Sequence, residues 1–163
     1  MKKSGNENKD ALGAALRLLG VRQRSVFELA AKLKDKGFAG GEIDGTIERL
    51  KEAGYLNDGA FARALASSRA KHKAWGPARI AKDLAARGID RETIKEALAL
   101  ACPAEEELAK AAFERWRKRN SAKSGRELQM KAFRHLSARG FSPSAVWKAI
   151  GKTNGTETED EQD

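Results

Sequence analysis

The sequence predicts an all-α protein: an elongated, curved array of three tandem three-helix repeats. Three observations carry that expectation. A short signature recurs, as KLKDKGF at 32–38, DLAARGI at 83–89 and HLSARGF at 135–141. Apolar residues recur at i, i+3, i+4 and i+7 along the 163-residue chain, the stripe of an amphipathic helix. No stretch shows the sustained alternation of a half-buried strand.

Aligned on Gly37, Gly88 and Gly140, the three signatures lie 51 and 52 residues apart. Leu33, Leu84 and Leu136 sit four positions before the glycine, and Phe38, Ile89 and Phe141 one after it. Ile43, Ile94 and Val146 follow at six, and Ile47, Leu98 and Ile150 at ten. The glycine suits a helix end in the left-handed conformation, which it adopts without steric cost. The preceding Lys36, Arg87 or Arg139 suits the negative helix C-terminus. A three-helix unit of this size buries little core alone, so stacked neighbours must supply the rest. A single compact nine-helix bundle is the alternative, but it leaves the matched columns unexplained.

In order along the chain, residues 1–9 read as a flexible N-terminus. The first repeat spans 10–55, with helices over 10–20, 25–36 and 41–53. Leu12, Ala15, Leu16 and Leu19 form the first stripe; Val26, Leu29, Ala30 and Leu33 form the second; Ile43, Ile47 and Leu50 form the third. The sequence AGGE offers the third helix only a loose cap. The second repeat spans 56–102, with helices over 58–72, 77–87 and 90–101. Asp58 is the expected cap of the first, Trp75-Gly76-Pro77 the break before the second, and Asp90 the cap of the third. The third repeat spans 103–152, with helices over 105–120, 126–139 and 142–151. Ala109, Ala112, Phe113 and Trp116 form a stripe, and Ser142-Pro143 opens the last helix. Residues 153–163 read as an acidic disordered tail.

Composition bounds the function. The net charge is +9, yet the last ten residues hold five acids and no base, leaving 32 basic against 18 acidic residues, or +14, over the rest. Such a body attracts polyanions, nucleic acid first and acidic protein surfaces second. No apolar run is long enough to span a membrane. The opening MKKSGNENKD has no apolar stretch behind it, so it is not a secretory signal and a cytoplasmic location is expected. The lone Cys102, beside Pro103, reads as an incidental thiol of a reducing compartment.

No catalytic or metal-ligating constellation stands out. His72 and His135 are far apart, without cysteines or acids at ligand spacing. Gly151-Lys152-Thr153 lacks the earlier glycine of a phosphate loop, because residue 146 is valine, and GGEIDG has the wrong spacing for a dinucleotide fingerprint. The expectation is a binding protein and not an enzyme, with no cofactor and no metal.

The basic residues concentrate in two clusters. Arg69, Lys71, Lys73, Arg79 and Lys82 surround Trp75; Arg115, Arg117, Lys118, Arg119, Lys123 and Arg126 surround Trp116. Arg115, Lys118 and Arg119 share one helix face. Such groups neutralise phosphates and make binding salt-dependent. A neighbouring tryptophan can stack on a base, although Trp116 lies on the apolar stripe and reads as core.

These residues carry a resemblance. ALRLLGVRQRSVFELAAKLKDKGF, IERLKEAGYLNDGAFARALASSR and WGPARIAKDLAARGI resemble the RecX family, bacterial regulators of the RecA recombinase. The likeness extends over about residues 11–150 and is least distinctive in the third repeat. It implies three tandem three-helix repeats, binding to RecA and to its filament on single-stranded DNA, and inhibition of RecA's recombinase, ATPase and coprotease activities. Homologous recombination, DNA repair and the SOS response are the processes concerned. Some members also bind DNA directly. A monomer with no membrane association is expected. The family's turn block maps to Gly54, Tyr55, Leu56 and Asp58, and its Gly-Pro-x-Arg-Ile block to Gly76, Pro77, Arg79 and Ile80; most of these read as structural, with Arg79 the exception. The candidate contact residues are Arg69, Lys71, Lys73, Arg79, Arg115, Lys118 and Arg119. A sequence-independent DNA- or RNA-binding helical protein, or a helical adaptor for an acidic protein partner, are the alternatives.

Overall fold

A computed structural model describes residues 10–120 and 125–151. The expectations for the N-terminus, the acidic tail, Lys123 and the end of the Gly151–Thr153 motif therefore lie outside the described residues. The described residues form nine α-helices and no strand. The first repeat holds α1 (Ala11–Val21), α2 (Val26–Asp35) and α3 (Gly40–Glu52). The second holds α4 (Asp58–Ser68), a five-residue π-helical turn (Arg69–Lys73), α5 (Pro77–Ala85) and α6 (Arg91–Ala101). The third holds α7 (Glu105–Lys118), α8 (Gly125–Ala138) and α9 (Pro143–Ile150).

The repeated signature folds the same way three times. Gly37, Gly88 and Gly140 take φ of +87°, +77° and +85°. In each case the residue after the glycine donates its backbone N–H to the leucine carbonyl: Phe38 to Leu33 at 3.3 Å, Ile89 to Leu84 at 3.2 Å, and Phe141 to Leu136 at 3.3 Å. This is the six-to-one bond of a Schellman cap, and it turns the next apolar side chain back toward the helix it has just left. The following helices start on the expected caps. Asp90 accepts from the Thr93 N–H at 3.0 Å and Ser142 from that of Ala145 at 3.3 Å. Ala39 has no capping side chain, and only Glu42 helps there, accepting from the Ala39 N–H at 3.0 Å.

Some local expectations are corrected. Asn57, not Asp58, caps α4, its Oδ1 accepting from the Ala60 N–H at 2.8 Å. Asp58 instead accepts from the N–H of Val26 at 2.9 Å, which fastens the start of α2. In α1 the buried face is Ala11, Ala14 and Ala15, and Leu16 is exposed. The predicted helix over 58–72 stops at Ser68 and widens into the π turn, and α5 ends at Ala85, two residues early.

The described residues group into two compact bodies. One consists of the residues up to Ser68 together with Ala81–Cys102; the other consists of Arg69–Ile80 together with the residues from Pro103 on. In the first body Leu29, Leu33, Ile43, Ile47, Leu50 and Leu56 form one core cluster, and α4 packs on α6. In the second, Ala109, Ala112, Phe113, Ala132, Leu136, Phe141 and Val146 form the core between α7, α8 and α9.

Each body contains one repeat-to-repeat junction, and the two are built to the same plan. The glycine turn of one repeat seats on the start of the second helix of the repeat before it. In the first body the buried Ser25 donates its hydroxyl to the Arg87 carbonyl at 2.6 Å, and a methyl at Gly88 would strike the Phe27 side chain. In the second body Gly76 donates its N–H to the Arg139 carbonyl at 2.8 Å, and Ala78 donates to the Gly140 carbonyl at 3.3 Å. Those bonds satisfy N–H groups that the start of α5 would otherwise leave without partners.

Candidate partner-binding surface

The sequence singled out two basic clusters, and the second body brings Lys73 and Trp75 of one beside Arg115, Trp116 and Arg119 of the other. The π turn prepares the meeting. Its wider winding releases carbonyls from the α-helical ladder. The Lys71 carbonyl accepts from Arg115 Nη1 at 3.1 Å, and the Lys73 carbonyl accepts from Arg139 Nη1. Ala74 then takes φ of +52°, a left-handed conformation unusual for a residue with a Cβ. That reversal leads into Trp75 and the start of α5.

The result is a cleft of about 270 Å³ whose lining includes His72, Lys73, Trp75, Arg115, Trp116, Arg119, His135 and Arg139. Arg115 lies in the last turn of α7 and Arg119 is its C-terminal cap, four residues on and on the same face. Arg139 follows α8, where its Nε donates to His135 Nε2 at 3.0 Å. His135 is therefore an acceptor at Nε2, and as a neutral ring it carries its proton on Nδ1. Burial, reinforced by the charge of Arg139, pushes the His135 pKa down and favours that neutral form. Burial also pulls the Arg139 pKa down, and the positive charges of Arg79, Arg119 and Arg115 pull in the same direction. Among the described residues, no carboxylate lies within ion-pair distance of Lys73, Arg79, Arg115, Arg119 or Arg139.

The rings of Trp75 and Trp116 are both engaged by neighbouring side chains. The Trp75 ring carries the guanidinium carbon of Arg69 at 5.2 Å and that of Arg79 at 4.4 Å from its centroid. Arg79 also donates to the Ala138 carbonyl at 3.0 Å. Trp116 sits 6.3 Å from Phe113 and 5.7 Å from His135, centroid to centroid, as a half-buried edge of the core.

Of the seven residues proposed from sequence, Lys73, Arg115 and Arg119 line the cleft and Arg69 and Arg79 hold Trp75 beside it. Lys71 contributes its carbonyl but its exposed side chain does not line the cleft, and neither does the exposed Lys118. Sequence reasoning did not place Arg139, His135 or His72 there. The basic residue before each repeat glycine was the available signal for Arg139. A second cavity, of about 370 Å³, lies in the first body between Leu16, Leu19, Tyr55 and Phe61. Its lining includes one basic residue, Arg24, whose Nε donates to the Leu18 carbonyl at 3.3 Å. No group of histidine, cysteine and acidic side chains among the described residues could hold a metal ion, and no helix of the described residues is long and apolar enough to cross a membrane.

Comparison with known proteins bears on the chain as a whole. Three family models match in succession: "RecX, first three-helix domain" over residues 11–50, the second such domain over 57–98 and the third over 104–150. The regulatory protein RecX of Bacillus subtilis is 36% identical over 162 residues, which cover 96% of this chain but 61% of that protein. The chain thus spans about three fifths of that relative. The regulatory protein RecX of Thermus thermophilus is 37% identical over 132 residues, covering 81% of this chain and 84% of its own. The crystal structure of RecX from Lactobacillus salivarius superposes with a TM-score of 0.77 at 25% identity, covering 89% of this chain and 95% of that one.

Proposed function

The chain belongs to the RecX family, and from that membership we propose that it binds RecA and the filament RecA forms on single-stranded DNA. In this reading it restrains RecA's recombinase, ATPase and coprotease activities in the cytoplasm, and so modulates homologous recombination, DNA repair and the SOS response. It does so as a monomer and by occupancy alone, without chemistry of its own. The observation that carries the reading is the cation-lined cleft of the second body, set within a chain of three successive repeats. A repetitive partner can be engaged by several repeats at once. Weak contacts joined in one chain then act at high effective concentration and give a tight complex.

The test is RecA's DNA-dependent ATPase and strand exchange at physiological salt with increasing amounts of this protein. Inhibition at ratios well below one per RecA supports filament binding. Inhibition only when the DNA is saturated with the protein supports sequence-independent DNA binding, a reading that the carboxylate-free cleft also favours. No inhibition at any ratio rejects the RecA reading.

A further inference from the structure

The two repeat junctions share a backbone plan but carry opposite electrostatics. With the 51-residue offset between the first two repeats, Arg22 corresponds to Lys73, Ser25 to Gly76 and Glu28 to Arg79. With the 52-residue offset between the last two, Asp83 corresponds to His135 and Arg87 to Arg139. In the first junction the charges cancel. Arg87 pairs with Glu28 at 2.6 Å and with Asp83 at 3.2 Å, and Glu28 also pairs with Arg22 at 3.0 Å. In the second junction both carboxylates are gone. Arg79 stands where Glu28 stood, and a neutral histidine stands where Asp83 stood, at the same spacing to the same arginine.

Like charges held together in a folded junction oppose folding, and the first junction demonstrates that this backbone plan accepts their neutralisation. The second junction instead adds Arg115 and Arg119 from α7 to Lys73, Arg79 and Arg139. Arg139 is held by the Lys73 carbonyl and by His135, which fixes its guanidinium, and Arg115 is held by the Lys71 carbonyl. The Arg119 side chain makes no hydrogen bond or ion pair to the described residues, which leaves its whole donor fork for a ligand.

We propose that this second junction is a phosphodiester-binding site for single-stranded nucleic acid, in which Arg115, Arg119 and Arg139 grip a backbone phosphate. The inference deepens the function proposed above and rests on it, because the filament carries such a strand. Guanidinium forks match phosphate oxygens two at a time. A nucleic-acid backbone presents one charge at every nucleotide, so a neighbouring phosphate can lie beside Arg79 while the first is held by Arg115, Arg119 and Arg139. The site's charged groups are arginines and a lysine that match phosphate oxygens, so it reads backbone and not base, and binding should be independent of sequence.

The probe is a fluorescent oligo-dT strand titrated with the protein at several salt concentrations. Arg115→Gln/Arg119→Gln removes two exposed donors. It should lower affinity at least about tenfold and flatten the salt dependence of log affinity by roughly 0.7, the value for one lost phosphate contact on a single strand. Arg79→Glu writes the first junction's charge into the second, and should lower affinity by a similar factor at a temperature where the variant is still fully folded. Lys34→Gln/Lys95→Gln, which removes the same charge elsewhere, should change affinity by less than about twofold, as expected for charges that touch no phosphate. Polyglutamate at equal charge should not displace the strand. Unchanged oligo-dT affinity and slope in the arginine variants overturns the proposal, and so does equal displacement by polyglutamate, which would assign the cleft to acidic protein side chains. RecA inhibition by the same variants separates the two levels. If it is lost while oligo-dT binding is intact, the phosphodiester site is wrong and the filament reading stands; if wild-type protein binds oligo-dT through this cleft but never inhibits RecA, the reverse holds.

Discussion

A methyl group separates the three signature glycines. At Gly37, with φ of +87°, an added Cβ meets open space, so Gly37→Ala carries only the left-handed penalty of about 1–2 kcal/mol. At Gly140, with φ of +85°, the same atom would lie 2.5 Å from the backbone nitrogen of Arg79, so the junction itself must shift. Gly140→Ala should therefore cost clearly more, about 3 kcal/mol or above, since strain and displaced packing add. Urea denaturation of the two variants checks the order, and equal losses would contradict it. Glu28 gives a second prediction at this scale. Burial alone would raise its pKa, but the Arg22 hydrogen bond and the charges of Arg22 and Arg87 outweigh burial and hold it below 4.5. A carboxylate depressed in the folded state contributes stability above its unfolded pKa and loses it as the pH falls through the folded one. The stability gap between wild type and Glu28→Gln should thus be full at neutral pH and shrink on acidification below about pH 4.5. Melting temperatures across that range measure it.

At the scale of an element, α2 is the best-anchored helix start. The Ser25 hydroxyl accepts from the Glu28 N–H at 3.1 Å, donates to the Arg87 carbonyl at 2.6 Å and is fully buried. Ser25→Ala removes a cap and leaves a carbonyl without its partner, and should cost about 2 kcal/mol. A two-state urea curve with an unchanged slope would check this. What the sequence disclosed follows the same division between local and distant causes. The glycine turns and the Asp90 and Ser142 caps were legible because their partners lie within a few residues of them. The π turn was not, because the groups that take its carbonyls, Arg115 and Arg139, lie more than 40 residues away. Asp58 was misread for a similar reason: its carboxylate is drawn to the Val26 N–H, leaving the cap to Asn57. The cleft was half legible. Composition and clustering found Lys73, Arg115 and Arg119, while Arg139 was read only as a helix-end charge until the fold set it beside them.

At the scale of the whole molecule, charge and repetition are the two properties that bear on a partner. The chain carries +9 overall, and the cations of the second junction face no carboxylate among the described residues. Association should therefore weaken steeply with salt, because each neutralised phosphate releases counterions. Repetition adds what charge alone cannot, since a partner that repeats along a polymer can meet more than one repeat of this chain. The most direct measurement compares affinity for a preformed RecA filament on oligo-dT with affinity for the same naked oligo-dT, in one buffer at physiological salt. Filament recognition predicts binding to the filament that is tighter by at least about tenfold, the gain expected when contacts are joined. Equal affinity for the two, or a preference for the naked strand, would contradict it.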